Sequence, residues 1–68
     1  MNTEAQQPLL EAHRALSEAF RLLDGAIGLL PNFQHSAALD VRNDVAHAMK
    51  QTRALALFAG VAPGEVGP

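Results

Sequence analysis

The chain has 68 residues with five Lys and Arg, seven Asp and Glu and three His, for a formal net charge of −2, and 49% of it is apolar. It has no Cys, Trp or Tyr, which excludes a disulfide framework and a thiolate metal site. Its longest nearly unbroken apolar run, Ala54 to Ala62, is about nine residues where a membrane span needs about 20.

Residues 1–7 form a polar leader without the basic and apolar regions of a signal peptide. A reducing, cytoplasmic compartment is therefore expected. Thr3 and Gln6 have capping-box spacing, enough for a brief turn. Pro8 suits the first position of a helix, where its missing N–H has no intrahelical partner, and the spacing predicts a helix over 8–30. Leu9, His13, Leu16, Phe20, Leu23, Ile27 and Leu30 alternate at intervals of four and three, a heptad seam. Ala12, Ala19 and Ala26 repeat at seven beside that seam, and Ala15, Leu22 and Leu29 repeat on a further line. The apolar surface is thus wider than the single stripe of a surface helix, and one partner helix does not cover it. On the remaining face Glu11, Arg14, Glu18 and Arg21 pair at i,i+3 or i,i+4. Gly25 and Gly28 interrupt the pattern. They either weaken the helix or admit the close approach of a neighbouring backbone or ligand.

Pro31 stops the first helix, because it cannot donate and it disfavours helical angles at Leu30. A turn over 31–36 follows, with Asn32 or Ser36 as cap of a second helix over about 37–59. Its expected seam is Ala38, Val41, Val45, Ala48, Thr52, Leu55 and Ala59, with Asp40, Asn43, Asp44, His47, Lys50 and Gln51 on the wet face. Towards its end that face turns apolar through Ala54, Leu57 and Phe58, as in a helix buried by another chain. Gly60 suits the stop. Residues 61–68, with two Gly and two Pro, read as an irregular tail. The fold class is all-α: a hairpin domain over 1–60, made of two antiparallel helices. The seams hold many alanines, too little apolar bulk to order about 50 residues, so the hairpin is expected to complete its core by homo-oligomerisation.

Asp40, Asp44 and His47 offer carboxylate and imidazole at helical spacing. A di-iron bundle needs further inward carboxylates from facing helices, and these three lie on the wet face, so no metal is expected. His13 in the seam reads as a register-fixing polar residue, with a ligand or pH-switch role as the other option. No nucleophile elbow and no phosphate loop is present, and neither enzymatic activity nor a cofactor is expected. DNA and RNA polymers call for a basic face or stacking aromatics; scattered cations with only three Phe do not supply them. A small anion needs only two or three cations. Arg42, Lys50 and Arg53 lie along the second helix and are copied in every chain of a symmetric oligomer, which can assemble a phosphate site. His35, near helix N-terminal amides, is placed to join them.

Phe20, Leu23, Ile27 and Leu30-Pro31, then Ala38-Leu39, Ala46 and Arg53-Ala54-Leu55, resemble the hairpin domain of small phage sponge proteins that counter the CBASS and Thoeris immune systems. The resemblance covers about residues 14–59. It implies an oligomer of helical hairpins that sequesters cyclic oligonucleotide or cyclic ADP-ribose-type signals between chains in the host cytoplasm, without hydrolysing them. On that reading Arg42, Arg53 and Lys50 bind phosphate, His35 contributes from the turn, and Phe33 stacks on a base or acts as a hydrophobic staple. The alternative is an oligomeric helical interaction or regulatory module without a small-molecule ligand.

Overall fold

The computed structural model describes residues 3–67, which form α1 (Thr3–Ile27), α2 (Asn32–Phe58) and the single turn α3 (Pro63–Val66). The two long helices pack side by side as an antiparallel hairpin, and no strand is present among the described residues. No helix among them is long and apolar enough to cross a membrane.

α1 begins at Thr3 rather than Pro8, so most of the expected leader is helical and Pro8 lies inside the helix. The loss is small this near the N-terminus, where Pro8 forfeits a single intrahelical bond in the second turn. The early turn is tied across the hairpin, since Gln6 Nε2 donates to the Ala59 carbonyl at 2.8 Å. α1 also stops three residues before its expected end, and the amides of Leu29 and Leu30 donate to Ala26 and Ile27 in a tightened last turn. α2 in turn starts earlier than expected. Pro31 is its N-cap, with φ −59° and ψ 151°, and neither Asn32 nor Ser36 provides a side-chain cap. Proline's fixed φ sets the entry angle, and the Pro31 carbonyl receives the Gln34 amide at 2.9 Å.

The α1 seam runs as its spacing predicts: His13 is buried, and Leu9, Leu16, Phe20, Leu23 and Ile27 are half-buried. The α2 seam differs. Ala38, Val45, Ala48 and Thr52 are half-buried and Ala59 buried as expected, but Arg42 and Met49 are half-buried and Ala56 buried as well, while Val41 and Leu55 stay exposed. Both registers have intervals of three and four. They differ by one residue at alternate positions, and the register adopted places small Ala56 where α1 and the tail converge.

The tail over 61–67 is part of the core, contrary to an irregular reading of 61–68, of which Pro68 lies outside the described residues. Gly60 has φ 98°, the Gly60 amide donates to Leu57 and the Val61 amide to Ala56, which is a Schellman motif. It brings Val61 down onto Ala56, and Pro63 at the first helical position of α3 then returns Val66 to the same place. Leu10, Ala56, Val61 and Val66 form the buried cluster. Gly and Pro signalled a break correctly, but the two valines they flank decide where the broken segment packs.

Among the described residues no large side chain is completely enclosed. The molecule measures 46 × 17 × 14 Å, two helices wide without a second layer. Its accessible surface is 4728 Å², against about 4,100 Å² for a compact folded monomer of this mass.

At Gly25 an added Cβ would meet nothing within 4 Å, and at Gly28 only the Gly25 carbonyl oxygen at 3.8 Å. Within the hairpin, neither glycine serves a close approach. Gly25→Ala is therefore expected to raise stability by about 0.5–1 kcal/mol, by removing backbone freedom from the unfolded chain and restoring helix propensity. Urea unfolding at fixed protein concentration measures it, and a loss of stability would show that Gly25 faces a neighbour.

Candidate functional site

A cleft of about 200 Å³ opens between the long helices, lined by His13 and Phe20 from α1 and by Ala46, Met49, Lys50 and Arg53 from α2. The spacing explains the convergence. His13 and Phe20 are two turns apart, and the four α2 residues follow at i, i+3, i+4 and i+7, one helical face. The space exists because Ala46 is small. Its exposed lining is wholly apolar, a ring, a thioether and the aliphatic stems of Lys50 and Arg53, whose charged ends lie outside that lining. His13 is 5% exposed and also borders a wider, shallow groove of about 540 Å³ that runs towards Glu65 and Val66. Arg53 is partly committed to the tail, since its Nε donates to the Gly67 carbonyl at 2.9 Å.

Of the residues singled out from the sequence, the structure unites Lys50 and Arg53 and separates the other three. Arg42 stands eleven residues before Arg53, about 16 Å along the helix axis. It faces the seam rather than solvent: its Nη1 donates to Asp24 Oδ1 at 2.6 Å, and its guanidinium lies 5.6 Å from the centroid of Phe20. Its Nε is buried and has no partner. His35 is held at the turn, its Nε2 2.8 Å from the Leu30 carbonyl oxygen, where the ring N–H satisfies a carbonyl of the segment joining the long helices. Phe33 is 82% exposed at the same tip, with no packing of the staple kind. From Arg53 to this tip is about 27–30 Å of helix, so one small ligand on one chain does not touch both.

Phe20, Ala46 and Met49 are the lining residues that the sequence did not assign to a ligand, and His13 had a ligand role only as its second reading. A polar His at a seam position was the one available signal. Asp40, Asp44 and His47 are exposed on the outside of α2, and no group of three or more potential metal-ligating side chains occurs among the described residues.

On the outer face of α1, Arg21 Nε donates to Glu18 Oε2 at 3.1 Å, and a second guanidinium nitrogen bonds the other carboxylate oxygen. This hydrogen bonding holds the Glu18 carboxyl below its ordinary range, against some desolvation and with the smallest contribution, the coulombic attraction of Arg21, in the same direction. A depressed carboxyl contributes stability above its unfolded value that is lost as the pH falls through the folded one. Full exposure keeps that contribution small.

No protein-family model matches the chain, and neither a curated protein nor a solved structure does. The class defined by the fold is a two-helix hairpin closed by a C-terminal turn.

Proposed function

We propose that this chain is a non-enzymatic, homo-oligomeric hairpin protein of phage type that binds and sequesters a small cyclic nucleotide signal of host defence in the cytoplasm. The cleft at Lys50 and Arg53 carries the reading. A nucleotide joins an apolar, flat ring to an anionic phosphate; the cleft supplies an apolar Phe, Met and Ala wall, and Lys50 and Arg53, whose stems line it, carry their cations beyond it. At about 200 Å³ it is smaller than the roughly 300–1,000 Å³ of a pocket for a whole drug-sized molecule. Each chain thus accommodates one ring and its phosphate, and the rest of a cyclic signal falls to a symmetry-related copy. Arg42 serves this site indirectly, by packing on Phe20, and His35 and Phe33 reach a ligand only where another chain brings its tip to the cleft.

Native mass spectra recorded with cyclic dinucleotides, cyclic trinucleotides and cyclic ADP-ribose isomers test the proposal. The expected result is an oligomer that retains one class of nucleotide, unchanged in covalent mass, with retention lost in Lys50→Ala/Arg53→Ala while the oligomer persists. Undiminished retention in that variant would refute the site. An oligomer retaining none of the panel moves the function to the second reading, a helical interaction module without a small ligand. That reading is favoured by one observation: Leu29, Phe33 and Phe58 are 88%, 82% and 86% exposed at the two ends of the hairpin.

A further inference from the structure

Beyond the Schellman turn the tail reaches further than the core it covers. α3 is a single turn, entered through Ala62 at φ −65° and ψ 139° and left through Gly67 at φ 79°. That positive φ favours glycine, and it comes directly after Val66, the last residue of the buried cluster. Gly67 then offers its carbonyl to the Nε of Arg53 at 2.9 Å. The stem of Arg53 lines the cleft while its charged end lies outside the lining, so the tail holds that end off the cleft. Glu65 and Val66 meanwhile wall the wider groove, which adjoins the cleft because His13 and Met49 line both spaces.

We infer that α3 with Gly67 is an autoinhibitory strap: docked, it competes with an anionic ligand for Arg53, and the anion binds best when the strap lifts. The inference rests on the cleft of the proposed function and adds the regulation of that site. Three observations favour competition over mere support. The Gly67 carbonyl oxygen accepts from the guanidinium as a phosphate oxygen does, and occupies one of its five donors. The Glu65 carboxylate, which forms no ion pair among the described residues, stands in the adjoining groove and repels a second anion. The hinge is also in place. The Val61 amide is bonded to Ala56 within the Schellman turn, while α3 continues beyond Ala62 on the burial of Val66 and the Arg53 bond. A short segment with few buried contacts opens locally while the rest of the fold stays closed. Linkage is reciprocal, so the factor by which the docked strap weakens the anion is the factor by which the anion weakens docking.

Adenosine and guanosine monophosphates, each one ring and one phosphate, are the probes, titrated while amide hydrogen exchange is followed by NMR. Without a probe, Arg53→Met is expected to speed exchange of the Gly67 amide, which is bonded to Pro63; unchanged exchange would overturn the strap. In the wild type a saturating mononucleotide is expected to speed exchange at Glu65 and Gly67 about fivefold or more, with Val61 still protected. Gly67→Ala, strained at φ 79°, is expected to bind the same probe about fivefold tighter, and Glu65→Gln about twofold tighter. A Gly67→Ala protein that binds no more tightly than a wild type that does bind would overturn the strap and leave the cleft standing. Binding by Gly67→Ala alone would support the strap in its strongest form. No binding by the wild type or either variant would overturn the cleft reading and the strap with it. Glu65 is exposed and Gly67 follows the last core residue, so both variants keep the hairpin.

Discussion

Ala56→Asp is expected not to fold at neutral pH. Ala56 has 0% exposure, between Leu10, Val61 and Val66, and it receives the Val61 amide in the turn that ends α2. A carboxylate there has no cation among its core neighbours, and burying an unpaired charge costs several kcal/mol. A chain of this length has a total stability of about 3–10 kcal/mol. The cost has an upper bound, because the tail can detach and let water reach the new group. Even so, detachment forfeits the burial of Val61 and Val66, roughly 1.5 kcal/mol or more each. Burial would raise the new carboxyl's pKa above its unfolded value, so this variant gains stability relative to wild type as the pH falls through that interval. Circular dichroism across pH checks both parts. A helical, cooperatively melting Ala56→Asp protein at pH 7 would mean that the tail does not pack where the fold has it.

Arg42→Glu comes next in size, with an expected loss of about 2–3 kcal/mol. The substitution replaces an attractive contact of 2.6 Å with two carboxylates facing each other across the helices. It also removes a cation from the face of Phe20, worth about 0.5–1 kcal/mol in a partly exposed setting. Asp24→Arg/Arg42→Glu restores the pair with reversed polarity and should recover a substantial part of the loss, although not the ring contact. Arg42→Met is the informative companion. Arg42→Met removes the buried, unpartnered Nε and keeps an apolar stem on Phe20 but gives up the Asp24 pair and the ring's cation, so its loss should be clearly smaller than that of Arg42→Glu. Urea midpoints at one protein concentration separate these cases. Arg42→Glu within about 0.5 kcal/mol of wild type would mark Arg42 as an ordinary surface charge.

How much of this was legible in the sequence differs by element. The α1 seam was, because Leu9, Leu16, Phe20, Leu23 and Ile27 are bulky and regularly spaced and their polar alternatives fall between them. The α2 seam was legible only by half. Its apolar residues are largely Ala and Val, so the registers through Val41–Leu55 and through Arg42–Met49–Ala56 have similar hydrophobic content. What separates them is Asp24, eighteen residues away in sequence, which gives Arg42 an inward partner. A pattern read along one helix does not contain that term. The tail was misread for a related reason. Local breakers were weighed, whereas Val61 and Val66 meet only after the Schellman turn reverses the chain. In the site, Lys50 and Arg53 share an α2 face, a local property the spacing shows. That Phe20 and His13 wall the same space depends on the pairing of two helices, and that Arg42 is turned away from it depends on the seam register.

The tail is held to the hairpin by the burial of Val61 and Val66 against Leu10 and Ala56, a hold that weakens on cooling. The Arg42–Asp24 pair near the other end has an exposed carboxylate and weakens instead as salt screens it. The two ends of one hairpin thus answer to different variables, the tail end to temperature and the turn end to salt.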